Sequence, residues 1–271
     1  MSLVFSLMKS IIAAVLAFVP LIVNAGEIPK IIGHRGASAD APENTIASYQ
    51  LAWKQGADGI EGDFYLTKDG QVVCIHDPTT KRTAGTDLKV KEATLDQLKS
   101  LDVGIGKFEK FKGEKIPTLA EVLDILPKGK WFFLEIKDTP RIVDPIVKIL
   151  AEKNPDPEKV VLISFKADVV KACREKLPKY TTCLISELKE FAKPGKPEFY
   201  LNELEKCGAQ GLLFKEDAPV TPEWLKLARG KDRILMAWTV DQKPVAQRMA
   251  ELGVDFIGTN RPEGLRADLQ K

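Results

Sequence analysis

Residues 31–77 read IIGHRGASADAPENTIASYQLAWKQGADGIEGDFYLTKDGQVVCIHD. Ile31-Ile32 before a glycine has the look of a short buried strand. Residues 43–55 carry a helical period, and 59–63 form a second short strand-like run. Residues 72–76 alternate like a strand again, yet only Lys68-Asp69-Gly70-Gln71 separates them from the extension of the second run. A turn that short permits antiparallel pairing alone, because a parallel partner needs a crossover of a dozen or more residues. The stretch therefore predicts strand, helix, strand and then a hairpin over residues 64–76. That hairpin rises from the C-terminal end of the second strand and returns His76 to the level of Glu61 and Asp63.

Outward from this unit, short apolar runs alternate with helix-period segments almost to the end of the chain. Counting 30–33 and 59–63, the strand candidates continue at 131–136, 160–164, 182–185, 211–214, 234–238 and 255–258. Helical patterns fall at 119–126, 141–153, 166–176, 196–207, 222–229 and 244–252. Eight strands in regular β/α alternation predict an α/β fold of the closed (β/α)8 TIM-type barrel class, with the hairpin after strand two. Residues 78–117, rich in Lys, Thr and Gly, are long for a βα loop and hold one short helical pattern at 94–101. They are expected to form a small insertion over the barrel mouth, where lids occur.

Barrels of this class keep their chemistry at the C-terminal ends of the strands. His34 and Arg35 follow the first strand, Glu61 and Asp63 end the second, His76 ends the hairpin, and Glu135 and Lys137 end the run at 131–136. Residues i and i+2 of a strand share a face, so each pair points into the same mouth. Three ionised carboxylates within a few ångströms repel, and without a counter-charge one of them would take up a proton. A divalent cation on Glu61, Asp63 and Glu135 removes that conflict, and all-oxygen ligation favours Mg²⁺ or Ca²⁺ over Zn²⁺. Arg35 offers a planar donor fork for a phosphate and Lys137 a point charge beside it. His34 and His76 are the only histidines of the chain, and their placement at one barrel end suits proton transfer.

Composition excludes some classes. Forty basic and 38 acidic residues nearly cancel, which leaves no electrostatic footprint for nucleic acid. Residues 11–23, IIAAVLAFVPLIV, form a 13-residue apolar run after Lys9, followed by Val23-Asn24-Ala25 before Gly26. This is short for a bilayer span and has the form of a secretory signal. Residues 1–25 are therefore expected to be a cleaved signal, residues 26–271 the barrel domain, and the protein exported, periplasmic or secreted, with no stable membrane span. The alternative is an uncleaved anchor. Cys74, Cys173, Cys183 and Cys207 match no disulfide framework and are expected to be buried free thiols.

Several ordered pieces carry a resemblance. Gly33-His34-Arg35-Gly36, Ala41-Pro42-Glu43-Asn44-Thr45, Gly59-Ile60-Glu61-Gly62-Asp63 and Ile75-His76-Asp77 come first. Lys115-Ile116-Pro117-Thr118-Leu119, Leu134-Glu135-Ile136-Lys137, Ser164-Phe165 and Trp238-Thr239-Val240 follow. Together they resemble the glycerophosphodiester phosphodiesterase family. The resemblance implies a TIM-type barrel, a metal on Glu61, Asp63 and Glu135, and His34 and His76 as the acid–base pair. It also implies places in the site for Glu43 and Trp238, as phosphate- or substrate-binding residues with Arg35 and Lys137. An acid beside Pro42 at a helix start is expected in any case. Asn260 stands where that family usually has Asp, and this departure is expected to touch neither the metal ligands nor the histidines. The implied reaction is hydrolysis of a small glycerophosphodiester to an alcohol and glycerol 3-phosphate. The rivals are a phospholipase acting on intact lipid and a non-catalytic phosphate-ester binder.

Overall fold

The computed structural model describes residues 28–104, 109–230 and 232–270. The expected signal at 1–25 lies outside the described residues. Eight parallel strands close into a barrel: β1 (Lys30–Gly33), β2 (Gly59–Leu66), β4 (Trp131–Ile136), β5 (Val160–Ser164), β6 (Thr181–Ser186), β7 (Gly211–Lys215), β8 (Ile234–Trp238) and β9 (Phe256–Thr259). Closure is made by β1, which pairs with β2 on one side and β9 on the other. The short strand β3 (Val72–Cys74) runs antiparallel to the extension of β2, with Phe64 opposite Cys74. The hairpin predicted from the four-residue turn is therefore present, and Ile75 N–H donates to Asp63 O at 2.9 Å, one residue before His76.

Alternation along each strand sorts side chains between two cores. Ile60, Phe64, Phe132, Leu134 and Ile136 face outward and pack with Tyr49 and Ala52 of helix α1 (Ile46–Lys54). Phe133, Val161, Ile163, Leu213 and Met236 face inward. The barrel floor is plugged by aromatic rings, with Trp131 and Phe133 edge-on to Phe256 at 4.9 and 5.1 Å between centroids. Apolar closure below and polar strand ends above leave a single end for chemistry. All four cysteines are buried and free, as expected.

Two differences from the sequence expectation have physical causes. The first helix begins at Ile46, three residues later than the period suggested. Asn44 adopts φ 58°, and Thr45 caps the helix by accepting from Ser48 N–H. Glu43 and Asn44 thus sit on a turn at the barrel rim. The described part of the insertion, for its part, flanks the mouth and does not cover it. Val90, Leu98, Val103 and Ile116 form a small core against Val73 and Ile75 on the outer face of the hairpin. Among the described residues none of the insertion lines the main cavity. Unexpected additions are the short helix α2 (Lys81–Ala84) and the terminal helix Pro262–Leu269, which completes the eightfold ring.

Candidate active site

The C-terminal barrel mouth holds a cavity of about 300 Å³. His34, Arg35, Glu61, His76, Glu135, Lys137 and Trp238 all border it. Asp63 lies just beneath, and Glu43 stands behind Arg35, off the cavity wall.

Glu61 and Asp63 point inward because Gly62 between them points out. A Cβ at Gly62 would collide with the Tyr49 hydroxyl of α1, so the helix packs directly on backbone there. Glu135 is the lateral neighbour of Asp63 in the β2–β4 register. The three carboxylates are 4, 1 and 8 % exposed, and each offers an oxygen within 4.8 Å of the others. Water cannot screen them at that burial. Burial, followed by the charges of Asp63 and Glu135, pushes Glu61 well above the ordinary carboxylate range. Burial and the Asp63 charge raise Glu135 to about 7. Asp63 goes the other way: burial opposes its charge, but Arg35 and Lys137 outweigh it and hold the carboxyl low.

The neighbouring contacts show what the cluster still lacks. Lys137 Nζ is 3.0 Å from Glu135 Oε1 and 3.4 Å from Asp63 Oδ1. Asn44 Nδ2 donates to Asp63 Oδ2 at 2.8 Å. Glu61 Oε2 accepts from the Arg35 backbone N–H at 2.9 Å, but Glu61 Oε1 is buried with no hydrogen-bond partner. A buried acceptor left bare is costly, and here it faces two further carboxylates. Three hard oxygen donors, one of them unspent, fit a divalent cation.

Arg35 adopts φ 56°, a left-handed conformation that sends its backbone N–H to Glu61 and its guanidinium to the rim. Nη1 donates to Glu43 Oε1 at 3.1 Å, while Nε lies 3.3 Å from Asp63 Oδ2 without an aligned hydrogen bond. Trp238 Nε1 is likewise buried and unpartnered. The mouth thus keeps two unspent donors beside its unspent acceptor.

The two histidines are held differently. His34 Nδ1 is 2.8 Å from Asn260 Oδ1. The orientation of that amide is fixed: Asn260 Nδ2 donates to Asp241 Oδ2 at 2.6 Å, and a carboxylate only accepts. Ser38 Oγ also donates to Asn260 Oδ1, at 2.7 Å. His34 Nδ1 therefore carries the proton and Nε2 keeps its lone pair. Burial, then the Arg35 charge, lowers the His34 pKa to about 4, so the ring is neutral at pH 7. His76 Nδ1 instead meets a carboxylate, Asp77 Oδ1, at 2.7 Å. Arg82 of the insertion holds that carboxylate through Nε at 2.6 Å and grips Glu43 with both terminal nitrogens at 2.7 and 2.8 Å. A hydrogen-bonded chain His76–Asp77–Arg82–Glu43–Arg35 therefore borders the mouth.

All nine residues singled out in the sequence come to this end of the barrel, with Glu43 and Asp63 one step back from the cavity surface. The expectation that the Asn260 departure touches neither histidine is corrected by its direct contact with His34. The sequence alone assigns no role to Asn44, Asp77, Arg82 or Asp241. Asp77 and Asn44 lie inside quoted motifs and were open to notice; Arg82 and Asp241 are surface-type charges whose partners are set only by folding. With His34 as the proton carrier expected from the sequence, Asn260→Leu should lower kcat by roughly 10- to 100-fold, as loss of an orienting residue does, with KM within about threefold. Steady-state kinetics check this, and an unchanged kcat would free His34 from its dependence on Asn260.

The comparisons agree with the geometry. The profile of the glycerophosphoryl diester phosphodiesterase family matches residues 34–264. A glycerophosphodiester phosphodiesterase of Caldanaerobacter subterraneus is 36% identical over 87% of this chain and 95% of its own length. The crystal structure of a glycerophosphodiester phosphodiesterase from Thermotoga maritima is 26% identical, covering 89% of this chain and 99% of its own, with a TM-score of 0.74. An Oleispira antarctica phosphodiesterase solved with its product sn-glycerol-3-phosphate shares the fold at a TM-score of 0.81 and 24% identity, over 90% of this chain and 98% of its own. With the motifs matched in order over nearly the whole barrel, the chain belongs to the glycerophosphoryl diester phosphodiesterase family.

Proposed function

We propose that this cavity hydrolyses a glycerophosphodiester to an alcohol and sn-glycerol 3-phosphate. The observation that carries the reading is the meeting of two differently held imidazoles with Arg35, Lys137 and three buried carboxylates around one cavity. Glu61, Asp63 and Glu135 would hold a divalent cation, Mg²⁺ or Ca²⁺ by its oxygen donors, which when bound supplies positive charge for the non-bridging phosphoryl oxygens.

The chain's own residues do the rest. Arg35 and Lys137 bind the anionic diester, and Glu43 fixes the Arg35 fork from behind. Trp238 borders the cavity and offers its ring to the glycerol portion of the substrate. His34, neutral with Nε2 bare, accepts the proton of the nucleophile, either water or the neighbouring glycerol hydroxyl. The phosphorus–oxygen bond to the alcohol breaks, and His76, its Nδ1–H held by Asp77, gives a proton to the leaving oxygen. Environments that differ this way divide the acid role from the base role.

A second reading, cleavage of intact phospholipid, is favoured by one feature: Phe165 is 44% exposed at the mouth, edge-on to Trp238. Incubation with glycerophosphocholine, and separately with phosphatidylcholine vesicles, separates the two. Equimolar choline and sn-glycerol 3-phosphate from the soluble diester is the expected result. Turnover of the vesicles alone, or of no diester, overturns the proposal.

A further inference from the structure

A second cleft of about 380 Å³ adjoins the catalytic cavity and shares Lys137 with it. Pro78 and Thr79 in its wall directly follow His76-Asp77, so it lies on the side of the histidine assigned to the leaving alcohol. Its other walls come from the insertion and from the loops after β4 and β5, and they carry Lys89, Lys91, Arg141 and Lys166 against the single acid Asp138.

The charges are unevenly matched. Arg141 pairs with Asp138 at 3.3 Å, and Lys89 pairs weakly with Glu92 at 3.4 Å. Lys166 Nζ is pinned by the backbone carbonyls of Lys137 and Asp138 at 2.9 and 3.2 Å, with no carboxylate partner among the described residues. Lys91 is exposed and has no ion-pair partner among them. Two uncompensated ammonium groups therefore face a concave surface beside a phosphodiester site, while the main cavity, on the strands from β5 to β8, is lined by Ile163, Ile185, Leu213 and Met236 with the acid Glu187 and no cation among the described residues.

We propose that this cleft is a subsite for an anionic group, a phosphate or carboxylate, on the alcohol portion of the substrate. The enzyme would then favour diesters whose leaving alcohol carries negative charge over those bearing a quaternary ammonium. This inference rests on the phosphodiesterase reading of the main cavity. The geometry gives it a direction: the scissile phosphate sits against Arg35 and Lys137, and the alcohol extends past His76 toward Lys91 and Lys166. The cations here are partly hydrated, so the preference is modest and salt-dependent.

The test compares kcat/KM for glycerophosphoinositol 4-phosphate, glycerophosphoinositol and glycerophosphocholine. The first two differ by one phosphate group on the alcohol, and the salt dependence separates the effect of its charge from that of its size. Wild type should prefer the phosphorylated alcohol over its neutral counterpart by about fivefold to tenfold at low salt, and the preference should shrink at high salt. Lys91→Glu should remove that preference while leaving turnover of glycerophosphocholine unchanged or higher. Lys166→Gln, read the same way, guards against a purely local effect of Lys91. Equal rates on the two inositol diesters, or a Lys91→Glu loss of the same size on all three substrates, overturns the subsite. Failure to cleave any of them overturns the phosphodiesterase reading itself, which is a different result.

Discussion

His34→Ala and His76→Ala should each lower kcat by on the order of 10²–10⁴ while leaving the far-ultraviolet circular dichroism and melting profile close to wild type. Neither ring is a core residue: both border the cavity. In the proposed mechanism their loss removes a proton acceptor or donor, not packing. The two variants should also differ from each other. With a p-nitrophenyl leaving group, which departs without protonation, the His76→Ala deficit should shrink and the His34→Ala deficit should persist. The pH profile carries a sign as well. Burial and the Arg35 charge depress His34 from 6.5 to about 4, so the free enzyme holds it neutral above that range. As pH falls from 6.5 toward 4 the unfolded chain takes up this proton before the native one, and native stability drops through that window. His34→Ala should remove that part of the acid sensitivity. Near-wild-type turnover in either variant removes that histidine from the chemistry.

Chelation should lower turnover by on the order of 10³-fold, with recovery on adding back Mg²⁺ or Ca²⁺. The reasoning starts from the carboxylates. Glu61 is raised well above its ordinary range and Glu135 to about 7, both by burial first and neighbouring charge second. In the chelated protein these acids hold protons that the unfolded chain releases. Its stability should therefore fall as pH rises above the ordinary glutamate range. A cation must displace those protons to bind, so apparent affinity should rise with pH through about 7 and weaken below it. Binding to the folded state alone should raise the melting temperature, and the rise should continue with the logarithm of cation concentration once it exceeds the dissociation constant. Chelator-insensitive turnover would exclude this assignment.

The barrel was legible because its signals are local. Each strand is a short apolar run, and the hairpin follows from four residues, Lys68 to Gln71, that no crossover can fit into. Strand alternation then placed Glu61, Asp63 and Glu135 on the inner face without further information. What escaped depends on distant partners or weak periods. Asn260 meets His34 across 226 positions of sequence, a pairing that composition and spacing do not encode. Arg82 belongs to a four-residue helix, too short to show a period, and its grip on Asp77 and Glu43 exists only once the insertion has docked. The terminal helix Pro262–Leu269 carries Gly264 in its first turn, which blunts the helical signal. The late start of α1 has the same origin as part of the site: Asn44 leaves helical geometry so that its amide can reach Asp63.

Titration of Mg²⁺ or Ca²⁺ into the chelated protein by calorimetry, at pH 8 and at pH 6, puts the shared cation of the three buried acids directly to the test. One ion per chain should bind at pH 8, more weakly at pH 6, and binding should be lost in Glu61→Gln and in Glu135→Gln. Binding of neither ion to the native chain, or undiminished binding in both variants, would contradict it.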